Sequence, residues 1–521
     1  MNIRKIYVGL IVLLSMGLYY EWSSDGRLAE ETAHLEVAMI ENAKPSVSDN
    51  GEYVYIENDL LRIKIAIRTG SIVESRLKKY GVENIEGSLG ARVFGSDNSE
   101  GNPPFKYYFK SGFTGQKTKP SYVLSSFSDR YVLLEDKGLG ITKEISFLPE
   151  TYELSIKDSS VNGEMGKAFA AFYRTEGVSL DMKTDWLQGG MMNNGSYQGV
   201  ALSTDADPYT TTRLRSLDKP ISLLSKSGWL AFIEKYFFAA LIGSDSYVYN
   251  YFAEPAESGV YRMGYKVEKS ETENFVYSHD HRVFVGPKIR KDLALRSDNL
   301  ELAIDMGWFW FISQPMVWIL DKINDFVGNW GLSIVLFTIL LKLLLWPVTA
   351  KGFSSMANMR RVQGPMKEIQ ERYKNDKQKL SQEMMALYKK EGANPIGSCL
   401  PMLAQVPFFI GFFFALREMV ELRHASLGLW IGDLSVPDPL FILPVAFGLI
   451  MVLTQKLNPA PPVQDPTQAQ IMKYMPVMFS FMFVIFPAGL CLYSVVNSGV
   501  SLIQQKIIYK KLGAGGDSVG G

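Results

Sequence analysis

Cysteine is nearly absent from this sequence. Its 521 residues include only Cys399 and Cys491, and both lie in apolar runs of the second half. The long polar segment of the first half has none, so no disulfide stabilises it and cysteine usage says nothing about its compartment. We interpret both cysteines as small apolar packing residues.

An excess of positive charge is also missing. The chain has 54 basic and 54 acidic side chains, which gives a formal net charge of zero. Direct binding of nucleic acid is therefore a poor prediction, because a phosphate backbone is held by a basic surface. The mean hydropathy near zero averages two regions, since residues 22–300 are polar and the remainder is rich in apolar runs.

Motifs of covalent chemistry are missing as well. There is no nucleophile elbow, no glycine-rich phosphate loop and no carboxylate pair that stands out. The one constellation is HDHR, which places His279 and His281 on one face of a strand. A metal site needs a third ligand, and only His34 and His424 remain as histidines, so we interpret HDHR as a solvated or interface strand. The sequence predicts no metal, no cofactor and no enzyme.

Alternating patterns dominate the polar first half. In LLRIKIAIR, Ile63, Ile65 and Ile67 alternate with charged or small residues, which is the period of a half-buried strand. YELSIKD repeats the pattern, and clusters of Gly, Asn, Asp and Ser separate further runs of this kind. We predict a large antiparallel β-domain, a sandwich, over residues 22–300.

The N-terminal apolar run is either a cleaved signal peptide or an uncleaved anchor. It starts with Arg4 and Lys5 and ends in Tyr19, Tyr20 and Trp22, which resemble an interfacial belt. No small-x-small cleavage site follows it, so we favour the anchor. Its basic start then stays in the cytoplasm and places the β-domain outside.

Lysine and arginine collect on one side of the later apolar runs, as the positive-inside rule requires. Six membrane helices with both termini in the cytoplasm satisfy this pattern, although several are shorter than the roughly 20 residues of a comfortable span. The predicted segments are the anchor 1–21, the β-domain 22–300, an interfacial helix 301–329, membrane helices 330–350, 398–416, 440–456, 473–487 and 488–509, a cytoplasmic hairpin 351–397, an outer loop 417–439, a cytoplasmic loop 457–472 and a cytoplasmic tail 510–521.

The interfacial helix at 301–329 is apolar but charged near one end, at Asp321 and Lys322. Aromatic residues such as Phe311 and Trp318 recur in it at helical spacing. We predict an amphipathic helix that lies along the outer membrane surface, rather than another span.

The hairpin at 351–397 carries two apolar stripes at helical spacing on a basic background. A turn separates the stripes, and Pro365 stands where a helix would start. The stripes either pack two antiparallel helices together or form a docking surface for a ribosome or targeting factor. The residues of this predicted docking surface are Met366, Ile369, Tyr373, Leu380, Met384 and Leu387.

A single charge interrupts the second predicted membrane helix. In FTILLKLLLWPVT, Lys342 has leucines on both sides. A lysine at mid-bilayer costs roughly 2.5–3.5 kcal/mol on insertion scales. One interpretation is snorkelling, in which the four-carbon stem lifts the ammonium to the lipid headgroups. The other is that the charge serves a function.

Polar residues on the same and neighbouring helices favour the second interpretation. No carboxylate lies within any predicted span, so water is the least costly partner for the ammonium. We predict a hydrated groove, walled by several helices and open to the cytoplasm, for a transient guest with polar or acidic residues. The accompanying side chains are Thr338, Gln405, Ser494, Asn497, Ser498 and Ser501.

The second half resembles the YidC/Oxa/Alb family of membrane protein insertases, in its Gram-negative bacterial form. The resemblance covers about residues 305–511 with consistent spacing and is highly specific over that length. GWLAFIEKYF and VFVGPK extend it into the β-domain. The motifs are FISQP, FVGNWG, WPVTAKGFSSMANMR, QEMMALYKKEGANPIG, LWIGDLS, DPLFILP and FPAGLCLY.

The resemblance implies a fold and an activity. The fold is an N-terminal anchor, a periplasmic β-supersandwich and five core helices around a hydrophilic groove that is closed on the outer side. The activity is insertion and folding of inner-membrane proteins, alone or with the Sec translocon. The implied partners are nascent inner-membrane proteins, the phospholipid bilayer, and a ribosome or targeting factor at the hairpin and C-terminal tail.

The resemblance also implies roles for single groove residues. The family usually has arginine five positions before a proline of this span, and here that residue is Lys342, so the charge is kept while the bidentate fork is lost. Thr338 and Gln405 match groove positions. The tandem tyrosine of the last span is Tyr493 followed by Ser494.

Two other functions stay open from the sequence. A small-anion transporter would use Lys342 in its site and predicts internal symmetry or broken helices at matching positions. A glycan-binding envelope enzyme would need a carboxylate pair or a metal cluster in the β-domain, and only HDHR hints at one. The insertase is the leading hypothesis.

Overall fold

The computed structural model describes residues 52–513 apart from several short gaps. Within these residues the chain forms a β-unit that ends at Ala303 and a helical unit that begins at Ile304. The predicted anchor at 1–21, His34 and tail residues 514–521 lie outside the described residues. The gaps are 83, 85–87, 96–106, 117, 162–165, 176–198, 215–216, 218, 258–259, 271–277, 305, 307–308, 374–375, 392–394 and 459–465.

The β-unit consists of two nine-stranded sheets, and the strand pairs in them are antiparallel. The strands are β1 (Tyr53–Glu57), β2 (Leu61–Ala66), β3 (Ser71–Gly81), β4 (Gly90–Phe94), β5 (Tyr107–Phe113), β6 (Val123–Ser128), β7 (Tyr131–Asp136), β8 (Ile141–Phe147), β9 (Glu153–Ser160), β10 (Ala168–Thr175), β11 (Gly199–Ser203), β12 (Thr210–Arg213), β13 (Ile221–Ser225), β14 (Trp229–Ile233), β15 (Phe237–Ile242), β16 (Tyr247–Glu257), β17 (Val260–Ser270) and β18 (Ser278–Pro287). The predicted antiparallel sandwich is confirmed.

The order of the strands places distant parts of the sequence side by side. One sheet runs β1-β2-β3-β5-β10-β17-β16-β13, with β4 paired to β3, and the other runs β12-β11-β14-β15-β18-β9-β8-β7-β6. Contacts between β5 and β9 and between β14 and β17 join the two sheets. A short helix α1 (Arg290–Leu293) and a 3-10 turn at Leu300–Ala303 end the unit.

Alternation along the strands decides which side chains enter the core. In β2, Leu61, Ile63 and Ile65 are buried while the residues between them are half-exposed. Successive side chains of a strand point to opposite faces, so one face meets the other sheet and the second stays near solvent. The pattern predicted from LLRIKIAIR is therefore confirmed.

A polar cluster is buried in the core of this unit. Lys143 of β8 and Asp158 of β9 form an ion pair with Nζ 2.6 Å from Oδ1, and their side chains are 0% and 2% exposed. Ser111 of β5, in the other sheet, donates to Asp158 Oδ2 at 2.5 Å and accepts from Lys143 Nζ at 2.6 Å. Burial alone would raise the pKa of Asp158, but Lys143 and His281 lower it to about 2. The ion pair thus links the two sheets.

His279 and His281 belong to this buried core, which corrects the prediction of a solvated or interface strand. Both side chains of β18 are almost inaccessible. His281 Nδ1 lies 3.0 Å from the hydroxyl of Tyr265, and its Nε2 lies 3.4 Å from Asp158 Oδ2. The ring of His279 packs edge-on against Tyr247 at 4.7 Å. The alternation correctly predicted that the two histidines share one face of the strand. It could not predict that the other sheet covers this face, because that sheet is formed by residues distant in sequence.

The helical unit contains nine α-helices among the described residues. They are α2 (Trp310–Val327), α3 (Trp330–Leu344), α4 (Trp346–Arg361), α5 (Gln363–Arg372), α6 (Lys377–Lys390), α7 (Pro395–Glu418), α8 (Ile442–Leu457), α9 (Pro466–Met482) and α10 (Ala488–Lys511). Short 3-10 turns lie at Val420–Leu422 and Phe483–Ile485. Helix α7 packs against α2, α4 and α10, and α10 packs against α3, α4 and α8.

The second predicted membrane helix is bent rather than straight. Helix α3 ends at Leu344 instead of 350, and α4 continues at an angle of 68°. Pro347, in the first turn of α4, lacks an N–H and its ring clashes with the preceding turn, so the chain starts a new helix there. The hairpin was predicted to begin at residue 351, and this position lies inside α4.

No single helix of the described residues has both the length and the apolarity of a membrane span, whereas α3 and α4 meet that test together as a bent pair. Other helix ends also differ from the predicted bounds. Helix α7 begins at Pro395 rather than 398, and α9 begins at Pro466 rather than 473. Proline is favoured at the first helical position, where its missing N–H would have no partner anyway.

Helix α2 is amphipathic, as predicted, within narrower bounds than 301–329. Trp318 and Phe326 are exposed, whereas Met316 and Leu320 are buried. Gly328 ends the helix with a φ of 70°, a conformation that costs glycine little. Contact of the exposed aromatic face with a membrane surface stays a prediction.

The predicted docking stripes of the hairpin pack against each other instead. Met366 of α5 forms one buried cluster with Leu380 and Met384 of α6. Ile369, Tyr373 and Leu387 are partly buried and pack on this cluster. The docking role predicted for these six side chains is therefore corrected: two short helices need an apolar seam of their own to stay together.

The ion pair in the sandwich gives the first testable prediction. Replacing Asp158 by Asn should destabilise the β-unit by roughly 3–5 kcal/mol, because Lys143 is left charged and buried without its partner. Adding Lys143→Met should recover much of that loss, since the pair is removed together. Pulse proteolysis of the whole protein in a urea series, following the β-unit fragments, measures both changes. Equal stability of the single and double variants would contradict this account.

The histidines give a prediction about pH. Burial lowers the pKa of His279 to about 2 and also lowers the pKa of His281, so both are neutral in the folded unit. Unfolded histidine binds a proton below about pH 6.5. The two histidines therefore do not lower the free energy of unfolding above that pH. Below it, the unfolded chain takes up two protons, and the free energy of unfolding falls with a limiting slope of roughly 2.7 kcal/mol per pH unit.

Hydrogen-exchange protection of β9 and β18 in the whole protein, compared at pH 7.5 and 5.0, measures this loss. The variant His279→Phe removes one of the two protons and should have about half the slope. A protection that does not change with pH would show that both rings are already protonated in the folded unit.

Candidate functional site

Lys342 points into the helical unit near the end of α3. Asn329 starts this helix, because its side-chain oxygen accepts from the N–H of Leu332 at 2.9 Å. Leu343 and Leu344 are 59% and 74% exposed on the outside, whereas Lys342 is only 4% exposed. The helical period thus turns the leucines outward and the lysine inward.

Two neutral side chains hold the ammonium of Lys342. Nζ donates to Gln405 Oε1 of α7 at 2.8 Å and to Ser501 Oγ of α10 at 2.7 Å. No ion pair with a carboxylate occurs for it in the part of the chain that the structure describes. The sequence favoured water as the least costly partner, whereas the structure places two protein acceptors at the ammonium. Snorkelling is wrong too, because the ammonium bonds sideways to two other helices.

A second set of hydrogen bonds orients these partners. Gln405 Nε2 donates to the hydroxyl of Tyr493 at 2.9 Å, and Ser501 Oγ donates to the carbonyl oxygen of Asn497 at 2.9 Å. We call Lys342, Gln405, Tyr493 and Ser501 the lysine cluster. Helices α3, α7 and α10 meet in it.

The buried members of the lysine cluster lie beneath a half-exposed polar surface. Lys342 and Tyr493 are buried, whereas Gln405, Asn497 and Ser501 are partly accessible. The side-chain oxygen of Asn497 is itself buried and has no hydrogen-bond donor among the described residues. This partly accessible polar surface above a buried ammonium makes the lysine cluster the candidate site of the helical unit.

Thr338 and Ser494 do not reach the ammonium, although both were predicted to line the groove with it. Thr338 Oγ1 donates to the carbonyl of Ile334 at 2.6 Å, and Ser494 Oγ donates to that of Leu490 at 2.8 Å. Each hydroxyl is satisfied by the backbone of its own helix, one turn earlier.

Two residues of the site were not among the predicted site residues. Ser501 was noted in the polar stripe of the last helix but was not assigned to the lysine. Gln504 donates from Nε2 to the carbonyl oxygen of Lys342 at 3.4 Å. The signal was helical spacing: Ser501 and Gln504 follow Asn497 by four and seven residues and therefore share its face.

Aromatic packing fixes the position of Tyr493. Phe412 of α7 is fully buried and stacks on Phe337 of α3 at 5.1 Å, and its ring centroid lies 4.5 Å from that of Tyr493. The same three helices that share the lysine cluster thus share an aromatic core. This core holds the Tyr493 hydroxyl where Gln405 donates to it.

A metal centre is not found among the described residues, since no group of three or more metal-ligating side chains comes together there. His279 and His281 lie in the core, with an ion pair instead of a metal beside them. The metal cluster that a glycan-binding enzyme could use is thus not found in this part of the chain.

Two family models match this chain, and they divide it into a β-part and a helical part, as the structure does. Residues 53–319 match the model of the YidC periplasmic domain, and residues 322–514 match that of the 60Kd inner membrane protein. The chain is 35% identical over 519 residues to the membrane protein insertase YidC of Hahella chejuensis (strain KCTC 2396), with 93% of this chain and 87% of that one covered. It is 32% identical to the membrane protein insertase YidC of Aeromonas salmonicida (strain A449), with 97% of each chain covered.

Solved structures are similar as well. One is described as an active YidC insertase crystal structure with the first transmembrane domain resolved. It is 17% identical, covers 91% of this chain and 98% of its own, and has a TM-score of 0.40.

The matches define an inner-membrane protein with a periplasmic β-domain and a helical core. The chain belongs to the YidC family of membrane protein insertases, which confirms the resemblance seen in its sequence motifs.

The aromatic core beside the lysine cluster gives a prediction about stability. Replacing Phe412 by Ala should cost about 3–5 kcal/mol, because it leaves a cavity between Phe337 and Tyr493. The measurement is the apparent melting temperature of the purified protein in detergent. Leu343→Ala is the matched control, since that side chain lies on the outside of α3. Equal losses in both variants would contradict the packing described here.

Proposed function

We propose that this chain inserts and folds inner-membrane proteins, and that the lysine cluster receives the polar end of the client. The polar terminus crosses the membrane while the apolar segment leaves sideways into lipid, and no covalent bond is made or broken. The relatives that match most of the chain carry the name membrane protein insertase, which supports this activity.

The observation that carries the proposal is a buried ammonium without a counter-charge. The hydrogen-bond acceptors of Lys342 are an amide and a hydroxyl, and no carboxylate of the described residues pairs with it. Such a site keeps its positive charge and attracts an acidic residue, whereas a lysine already paired with a carboxylate would not.

Access to the site is from the cytoplasm in this proposal. Gln405, Asn497 and Ser501 form the half-exposed surface through which water and the client arrive. Because Lys342 itself is only 4% exposed, the client enters when this surface opens. The sequence predicted a hydrated groove that is open to the cytoplasm, and in this proposal the groove opens to admit the client.

Half-exposed aromatic residues on α7 and just before α10 give the apolar part of the client a surface to slide along. Phe409 and Phe413 lie on α7, and the ring of Phe486, which precedes α10, lies 6.0 Å from that of Phe413. An aromatic face contacts many apolar side chains without a fixed geometry, so it suits clients of different sequence.

Partners are proposed for the same activity. Some clients come through the Sec translocon, and a ribosome or targeting factor docks on α5 and α6. Because the apolar stripes of these helices are buried, docking uses their outer face, where Met385, Lys367 and Lys389 are exposed. Exposed lysines on such a face favour an acidic or phosphate-rich partner.

A small-anion transporter would use the same lysine. The break between α3 and α4 resembles the discontinuous helices of transporter sites. A transporter of that kind needs a second break at a matching position, and α3 with α4 is the one bent pair found within the described helices. The insertase is therefore the favoured function.

The charge of Lys342 is tested with a single-span client that has one Asp in a short N-terminal tail. Lys342→Met should lower its insertion into proteoliposomes about tenfold, because a charge-assisted hydrogen bond in a desolvated site is lost. Lys342→Arg keeps the charge and should insert more than the Met variant. The measurement is protease protection of the client, normalised to the amount of each reconstituted variant.

Charge reversal provides the sharper control. Lys342→Glu should fail with the Asp client and should insert a client with Lys in the same tail position better than the wild type does. Normal insertion of every client by Lys342→Met would overturn the role of the charge. Uptake of a small anion that is abolished by the same variant would support the transporter instead.

A further inference from the structure

The ammonium of Lys342 has one more donor than its partners use. A lysine ammonium carries three N–H donors. Two of them go to Gln405 Oε1 at 2.8 Å and to Ser501 Oγ at 2.7 Å. No third acceptor for it is found in the described part of the chain. Among the described residues, one N–H of this ammonium thus has no acceptor.

Each acceptor is itself oriented by a further hydrogen bond. The hydroxyl hydrogen of Ser501 is directed at the carbonyl oxygen of Asn497, so the lone pairs of Oγ face Lys342. The amide nitrogen of Gln405 donates to Tyr493, which turns the amide oxygen toward the same ammonium. The two acceptors are thus arranged to receive a donor rather than to provide one.

We propose that Ser501 and Gln405 are positioning residues that hold the Lys342 ammonium for one carboxylate of the client. They keep the ammonium between α3, α7 and α10 with its third N–H free, and they prevent it from snorkelling. This inference rests on the proposed insertase function and adds to it the residues that make the lysine selective for an acidic tail.

A lysine at this position needs such a clamp. Lys342 is two residues from the end of α3, or about 3 Å along the helix axis. A free four-carbon stem would carry the ammonium past that end toward the headgroups, where it meets water and lipid phosphate. A guanidinium has a planar fork of five donors and stays oriented with fewer supports. The clamp is the feature that lets this chain use lysine.

The guest that fits is one carboxylate oxygen of an aspartate, a glutamate or a chain terminus. With one N–H available the bond is monodentate, so a second carboxylate oxygen gains nothing from the lysine. Because both acceptors are neutral, the site has a charge of +1 before binding and zero after it. A neutral amide in the same place of the client would be bound far more weakly.

The test compares two clients that differ only in having Asp or Asn in the N-terminal tail, inserted by the full chain in proteoliposomes. Ser501→Ala should lower the Asp-to-Asn ratio of insertion about tenfold. Ser354→Ala is the matched control. Its hydroxyl donates to the carbonyl of Ala350 at 2.8 Å, one turn earlier, as Ser501 does to Asn497, but it is not bonded to Lys342.

A second arm restores the function by another route. In the Ser501→Ala background, Lys342→Arg should recover the preference for the Asp client, because the guanidinium does not need the lost acceptor. A defect of packing would not be corrected by this change. Recovery therefore separates positioning of the charge from a merely structural role.

The third arm uses the isosteric change Gln405→Glu. It preserves shape but places a carboxylate against Lys342, so the charge of the site is cancelled before the client arrives. The preference for the Asp client should be lost as completely as in Lys342→Met.

The outcomes distinguish this inference from the function on which it rests. If Lys342→Met abolishes the preference while Ser501→Ala and Gln405→Glu keep it, the clamp is overturned and the groove charge stands. If Lys342→Met itself keeps the preference, the proposed function fails. If Ser501→Ala lowers both clients equally and Lys342→Arg restores neither, Ser501 is structural and the inference is overturned.

Discussion

The hydrogen bonds from one ammonium to two neutral acceptors are the constraint on which the helical unit depends. Lys342 would be costly in an apolar helix, and Gln405 and Ser501 reduce that cost without cancelling the charge. To do so they must come from two other helices, which fixes how α3, α7 and α10 meet. The stacked rings of Phe337 and Phe412 lie at the same meeting point and hold it together. The site that we propose for an acidic guest is thus also a packing contact between three helices.

The β-unit solves the burial of charge in the opposite way. There, Lys143 is paired with Asp158 and bonded to Ser111, so both charges of this buried cluster have a partner. An ion pair that is fully satisfied contributes to a specific core, while a charge with neutral partners remains able to bind. The contrast explains why the HDHR strand, despite its polar side chains, belongs to packing, and why we propose a function for the lysine of α3.

Much of the architecture followed from local patterns. Alternation in LLRIKIAIR predicted the buried face of β2, and the seven motifs of the second half predicted the family. Helix ends were less predictable where proline acts on its neighbours: Pro347 stops α3 early, although the leucines before it read as one continuous span. Stripes such as Met366 and Met384 predicted a seam and a docking surface equally well, because an apolar stripe does not say what covers it.

The sequence alone determined the fold class, the family and the presence of one uncompensated charge in an apolar run, because periodicity, motifs and the absence of carboxylates are local properties of a chain. Only the tertiary structure decided which residues reach that charge. Ser501 is 159 residues from Lys342, and Gln405 is 63 residues away. Thr338, one turn from the lysine, turns out to bond its own helix instead. Hydrogen bonding depends on distance and direction in space, and helix packing sets both.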